Sequence, residues 1–263
     1  MLDLGRTFLQ AVEREPDKLA IVDGVRRHTY AEWALNIGAI QQFFNEQGLK
    51  RGDRILTVLQ NRYEAATIHW ACQMAGIVIV PLNWRSKPDE IDYCAQNADV
   101  KLAFVEEISL NNYLESETSK SISVILCMEK ASLDGYRYFD QLIQKGCEPE
   151  ARGHVEDISV MLFTSGTTGK PKGVPRKQRA ERAAGIAHVA QNQYAMGEVT
   201  LGVMPLYHTM GVRTLLSLCI VNGTYVAVPR WDVNKAIEAI ENEAVTHLYL
   251  VPTLYHDMIE SSN

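Results

Sequence analysis

Short apolar runs and amphipathic stretches alternate along this chain, and glycine and proline mark most of the boundaries between them. Leu2 to Arg14 carries apolar residues at helical spacing. Leu19 to Asp23 and Arg27 to Tyr30 read as strands flanking a tight turn at Asp23-Gly24, and Ala31 to Gln47 reads as a helix closed by Gly48. Arg54 to Leu59 is a strand, Tyr63 to Ala75 a helix, Ile77 to Pro81 a strand, Asp89 to Asn97 a helix and Val100 to Val105 a strand. That succession predicts right-handed βαβ units and therefore a parallel sheet. Ser109 to Lys120 is polar and turn-prone, Ile122 to Met128 resumes a strand, and Lys145 to Asp157 is a loop leading into the apolar run Ile158 to Phe163. Beyond that run the pattern predicts helix Arg179 to Tyr194, strand Leu201 to Met204, helix Thr209 to Val221, strand Thr224 to Val228, helix Val233 to Glu243, strand Val245 to Leu250 and a last helix from Thr253. The fold class is α/β, with parallel sheets flanked by helices and no internal repeat.

The apolar run at Ile158 to Phe163 changes abruptly into Thr164-Ser165-Gly166-Thr167-Thr168-Gly169-Lys170-Pro171-Lys172-Gly173-Val174. Glycines there permit backbone angles that turn consecutive N–H groups toward an anion, the hydroxyls add donors, and Lys170 and Lys172 add charge. The string suits a polyphosphate. It is not the P-loop of nucleotide triphosphatases, which needs G-x-x-x-x-G-K-[ST] and a helix at the lysine. Position 164 is Thr, and Pro171 biases Lys170 away from helical angles. A bare Ser/Thr/Gly surface turn is the alternative for a shorter fragment. Arg176, Lys177, Arg179 and Arg182 follow at once and read as an electropositive rim or as a solvated helix face. In open α/β sheets ligands sit beyond the carboxyl ends of strands. The phosphate loop, the Pro205 to Gly211 loop and the Tyr249 to Pro252 turn all fall there, so three loops converge on one cleft.

Composition narrows the class. With 263 residues, 46% of them hydrophobic, the chain can bury a substantial core as one large domain or two smaller lobes. The five cysteines are odd in number, far apart and without a C-x-x-C pair, so neither a disulfide framework nor a zinc site is supported. His188, His247 and His256 show no metal spacing. A net charge of −6 argues against nucleic acid as a partner. No leader pattern opens the chain and no run approaches a membrane span, so the expectation is a cytoplasmic protein without a membrane partner.

The residues from Phe163 to Val174 match in full the phosphate-loop signature of the adenylate-forming enzymes, the superfamily of acyl-CoA ligases, peptide-synthetase adenylation domains and firefly luciferase. Met204-Pro205-Leu206-Tyr207-His208-Thr209-Met210-Gly211 and the segment Gly76 to Arg85 resemble two further landmarks in the same order. The resemblance implies the N-terminal part of that fold, with lobes roughly 1–50 with 175–263 and 51–174, and without the C-terminal domain. It implies ATP, Mg2+ and CoA as cofactors and a small carboxylic acid as substrate. The acid attacks the α-phosphorus of ATP, and a thiol then attacks the acyl adenylate. Thr164, Ser165, Gly166, Thr167, Thr168, Gly169, Lys170, Lys172 and Gly173 would cradle the phosphates. No string here resembles the family's adenine, magnesium or catalytic-lysine motifs, so no residue is assigned as catalytic or as a metal ligand, and the chain by itself is expected to be inactive. Apolar surface left uncovered is expected to show as dye binding or homo-oligomer formation.

Leu201 to Tyr255 most resembles ligases acting on benzoate-type acids, halobenzoates among them. By that likeness His208, Thr209, Met210 and Tyr249, with a residue near Gly185 or Ile186, would wall an apolar acyl pocket suited to an aromatic ring or a short to medium fatty acid. Peptide-synthetase domains place an F-D-x-S string where this chain has Tyr207-His208-Thr209-Met210. Without that aspartate an α-ammonium group would be buried unpaired, so the acid lacks one. An acid:CoA ligase is the leading reading, with acid loading onto a carrier protein and a non-catalytic nucleotide-binding fragment as alternatives.

Overall fold

The structure, a computed structural model, describes residues 2–128, 133–164 and 170–261. Its elements run α1 (Leu4–Arg14), β1 (Leu19–Asp23), β2 (Arg26–Thr29), α2 (Tyr30–Glu46), β3 (Arg54–Val58), α3 (Tyr63–Ala75), β4 (Val78–Leu82), α4 (Pro88–Ala98), β5 (Leu102–Glu106), α5 (Glu107–Glu115), β6 (Ser123–Cys127), β7 (Arg137–Tyr138) and α6 (Phe139–Ile143). They continue with β8 (Ile158–Thr164), β9 (Lys172–Lys177), α7 (Gln178–Asn192), β10 (Val199–Gly202), α8 (Thr209–Ile220), β11 (Thr224–Ala227), α9 (Val233–Asn242) and α10 (Pro252–Ser261). Two sheets result, one of seven strands in the order β7-β6-β5-β3-β4-β8-β9 and one of four in the order β10-β11-β1-β2. Pairing is parallel except at β1–β2 and β8–β9.

Strand alternation sorts the apolar side chains into three cores. On β3 and β5, Ile55, Leu102 and Phe104 face a central helical layer where Phe8 of α1, Trp33 and Ile37 of α2, Trp70 of α3 and Leu215 of α8 are buried. Their neighbours Leu56, Ala103 and Val105 face α4 and α5 on the other side. The four-stranded sheet splits likewise, Ile21 and Tyr225 toward the central helices, Val22 and Val226 toward α9 and α10. The layers therefore run helix, sheet, helix, sheet, helix.

Several elements depart from the sequence reading for identifiable reasons. Tyr30 opens α2 instead of closing β2, because Thr29 and Glu32 form a capping box across the helix start. The polar stretch expected to be turns from Ser109 to Lys120 holds most of helix α5. Its Ser109 hydroxyl is buried and donates to Val58 O at 2.6 Å, a partner that local sequence cannot supply. Val245 to Leu250, read as a strand, pairs with β10 only through a bridge at His247. There the Glu198 carboxylate accepts from Thr246 Oγ1 and contacts His247 Nδ1 at 2.8 Å, adding side-chain contacts to the backbone bonds from Thr246 N and His247 N to Val199 O. Residues 172–177 form an antiparallel strand that periodicity did not show.

Candidate functional site

β8 and β9 build the phosphate hairpin. Val160 of β8 pairs in parallel with Ile79 of β4, and β9 returns antiparallel with Thr164 opposite Lys172 and Phe163 opposite Gly173. Because the chain continues from Lys172 into a strand, no helix begins at the lysines, and P-loop geometry is excluded. Ser165, Gly166, Thr167, Thr168 and Gly169 lie outside the described residues. Of the flanking candidates, Thr164, Lys170 and Lys172 are exposed, and Lys170 Nζ stands 5.3 Å from the centroid of the Tyr93 ring. At Gly173 a Cβ would come within 3.0 Å of Met161 Sδ and 3.1 Å of Phe163 Cζ, so a larger residue would have to displace the hairpin's own side chains.

The expected electropositive rim is not a row of unpaired cations. Lys177 and Arg179 both pair with Glu156, at 2.8 and 2.9 Å, and Arg182 Nε donates to Thr7 Oγ1 at 2.9 Å. Arg176 turns inward, its Nε 2.5 Å from Glu181 Oε1 and its Nη1 donating to Thr209 Oγ1 at 2.8 Å. The contact ties the second strand of the phosphate hairpin to the start of α8. Glu181 is fully buried, and desolvation holds its carboxyl above the usual range despite the opposing pull of Arg176 and Arg213.

The loop from β10 to α8 is shaped by Asn61, which sits in the β3–α3 connection of the other sheet. Its buried side chain donates to Gly202 O at 2.7 Å and Met204 O at 2.8 Å, and accepts from Leu206 N at 3.0 Å. Both amide ends are thus spent on the strand exit that carries the predicted acyl residues. A Cβ at Gly211 would sit 2.2 Å from Pro205 O and 2.4 Å from Met204 O, so the loop folds directly over the first turn of α8. His208 is the N-cap residue of α8, with an exposed side chain and its ring 4.7 Å from that of Tyr207. Met210 packs against the core between the four-stranded sheet and α9 and α10.

Tyr249 is half-buried, its ring edge-on to His188 with centroids 4.4 Å apart. Beside it lies a cavity of about 300 Å³ lined by Ala184, Ala187, His188 and Gln191 of α7, by Arg213 of α8 and by Tyr249 itself. The lining is mixed, where the sequence pointed to apolar walls. Gly185 is not among the lining residues. It lies at the crossing of α7 and α8, where a Cβ would stand 3.1 Å from Ile220 Cδ1 and 3.3 Å from Leu216 Cβ. Ile186 is 41% exposed and does not reach the cavity. Tyr249 and Arg213 therefore meet there, Thr209 meets Arg176, and His208 and Met210 stand on either side of Thr209.

Asn61, Glu181 and Arg213 were not singled out from the sequence. Two of them left a trace: Asn61 falls just past the carboxyl end of a predicted strand, and Arg213 is the one charged residue in the apolar helix from Thr209 to Val221. Among the described residues no group of three His, Cys, Asp or Glu side chains is placed to hold a metal ion. No helix among them is long and apolar enough to cross a membrane.

A mostly parallel seven-stranded sheet flanked by helices, with its β8–β9 hairpin fastened through Arg176 to the start of α8, defines an α/β protein. Within that class the chain belongs to the AMP-binding enzyme family, whose model matches residues 8–263. It is 28% identical over 255 residues to 4-hydroxybutyrate–CoA ligase 2 of Metallosphaera sedula, covering 93% of this chain and 46% of that protein. It is 30% identical over 256 residues to 4-chlorobenzoate–CoA ligase of a Pseudomonas species, covering 93% and 46%. The chain thus spans about half the length of these relatives. The N-terminal domain of FACL13 from Mycobacterium tuberculosis shares the fold with a TM-score of 0.88 at 20% identity, covering 98% of this chain and 65% of that one. O-Succinylbenzoate CoA synthetase of Bacillus subtilis, solved with its acyl-adenylate intermediate, gives 0.83 at 21% identity, covering 97% and 63%.

Proposed function

We propose that this chain supplies the phosphate-binding and acid-binding half of an AMP-forming acid:CoA ligase acting on an aromatic or other non-amino carboxylic acid. The observation that carries this reading is the Arg176–Thr209 contact, which joins the phosphate hairpin to the loop bearing His208, Thr209 and Met210. A carboxylate oxygen attacks the α-phosphorus of ATP, an acyl adenylate forms and pyrophosphate leaves. The thiol of CoA then attacks the acyl carbon and AMP departs. Thr164, Lys170, Lys172 and the hairpin loop hold the β and γ phosphates, and positioning with charge neutralisation carries the first step. Mg2+ would supply further neutralisation on the phosphate oxygens. The kinship with named CoA ligases supports the thiol as second acceptor.

Acid-dependent exchange between ATP and pyrophosphate, measured on the full-length protein with a panel of benzoates and fatty acids, tests the reading. Exchange that requires both ATP and one class of acid is the expected result, with Lys172→Ala raising the KM for ATP. Absence of exchange with every acid, in protein shown to be folded, would overturn it.

A further inference from the structure

Two guanidinium groups, Arg176 of β9 and Arg213 of α8, act on the one buried carboxylate of Glu181 on α7. Arg176 forms the ion pair with Glu181, and Arg213 lies near enough to act electrostatically on both Glu181 and His188. Glu181 is fully buried, and both of its carboxylate oxygens, like the Nε of Arg213, are shielded from solvent without a hydrogen-bond partner. The shielded Nε therefore belongs with the Glu181 carboxylate, and a ligand can meet Arg213 only where its side chain lines the cavity. The charge does not balance in either state of Glu181. Ionised, it leaves one positive charge in excess, and protonated it leaves two. His188 adds no countercharge, since desolvation, Arg213 and His247 all hold it below the ordinary histidine range and therefore neutral. Tyr249 faces the cavity from the other side.

This excess lies on the wall of the 300 Å³ cavity, a volume at the small end of the range that encloses organic ligands. Thr209 and Arg213 are four residues apart on α8, on one face and about 6 Å apart along its axis. An acid whose reacting carboxylate lies near Thr209, beside the phosphate hairpin, would extend its far end toward Arg213. Resting on the ligase reading above, we infer that the acid substrate carries a second carboxylate, and that Arg213 is the specificity-determining residue that receives it in the cavity between α7, α8 and Tyr249. The guanidinium offers a planar pair of donors suited to a carboxylate, and Gln191 at the rim offers a further amide. An alkyl or halogen tail would offer the Arg213 guanidinium no countercharge.

The test compares size-matched pairs, glutarate against pentanoate and terephthalate against p-toluate, in acid-dependent ATP–pyrophosphate exchange on the full-length protein. The expected kcat/KM is at least tenfold higher for the diacid of one or both pairs. Arg213→Met should remove that preference, Arg213→Lys should keep part of it, and the KM for ATP should change less than twofold in either. Calorimetric binding of the preferred diacid without ATP gives a readout independent of turnover, expected for the wild type and lost in Arg213→Met. Equal or better use of the monoacids by the wild type overturns the inference and leaves the ligase reading intact. So does a folded Arg213→Met protein that keeps the diacid preference, since Arg213 would then serve only as countercharge to Glu181. Arg213-dependent diacid binding without exchange upholds the site and overturns the ligase reading, whereas neither binding nor exchange overturns both.

Discussion

In the seven-stranded sheet, β3, β4, β5 and β6 come from successive segments joined by α3, α4 and α5, whereas the four-stranded sheet pairs Ile21 of β1 with Tyr225 of β11 from opposite ends of the chain. The first can form from local βαβ units, and the second exists only after long-range closure. That closure is fastened by polar side chains. Asn222 Nδ2 donates to Ala11 O at 2.7 Å, Thr224 Oγ1 to Leu19 O at 2.7 Å and Tyr30 OH to Gly223 O at 2.8 Å. The difference explains where the candidate site lies. The β8–β9 hairpin, proposed to hold the phosphates, is an edge of the local sheet, the loop proposed to hold the acid leaves the long-range sheet, and Asn61 and Arg176 join the two.

The largest effect expected is from Trp70→Ala, because Trp70 is fully buried in the core shared by both sheets, with its ring tilted against that of Phe8 at 4.9 Å. Loss of about 3–5 kcal/mol in urea unfolding, with both sheets lost together, is predicted. Unfolding of one sheet while the other persists would break the shared-core account. Asn61→Ala should cost about 3 kcal/mol, since it removes three buried hydrogen bonds and orphans their backbone partners. Hydrogen exchange should then rise at Met204 to Leu206 and β10 ahead of β3 to β6; uniform loss of protection would show that Asn61 does not join the sheets.

Of similar size, on the order of 3 kcal/mol each, are two opposed pH effects on the side of the seven-stranded sheet. Burial lowers His69 of α3 from 6.5 to about 4, so the stability it contributes is complete above pH 6.5 and is lost as pH falls toward 4. Glu106 at the end of β5 is raised by burial from 4.5 to about 7, although Gln60 N and Arg62 Nε donate to it at 2.5 and 2.9 Å. Its contribution is complete below pH 4.5 and is lost as pH rises through about 7. The two slopes oppose each other between about pH 4.5 and 6.5. Melting curves of His69→Gln and Glu106→Gln across pH 4 to 8 should each expose the slope of the other group. Parallel curves for both variants and the wild type would refute the assignment. The smallest effect belongs to Arg27→Ala, which removes an exposed bidentate pair between β2 and Glu243 just beyond α9 and should cost less than about 1 kcal/mol in the same unfolding experiment.

Much of this architecture was legible in residue order. The apolar runs at Arg54 to Leu59, Ile77 to Pro81 and Val100 to Val105 could not be solvated on either face, and the amphipathic stretches between them could only cover those faces. The helix at Ser109 was not legible, because its hydroxyl is satisfied by Val58 O from another strand. β9 was hidden by its composition, Lys172 to Lys177, which reads as a charged surface until β8 pairs with it. At the site, the hydroxyls and lysines of the phosphate loop announced themselves, since an anion requires donors of those kinds close together in sequence.

What the sequence determined by itself, then, was what depends on near neighbours: the alternation of strands and helices, the hydroxyl-, glycine- and lysine-rich string after β8 and the kinship that follows from it. Only the tertiary structure decided which distant side chains meet. Arg176 could be read as rim or solvated face until α8 brought Thr209 to it, and Arg213 was a lone charge in an apolar helix until α7 brought Glu181 and His188 beside it. Charge acts through space and not along the chain, so which groups neutralise one another, and where a positive charge is left for a ligand, is set by packing.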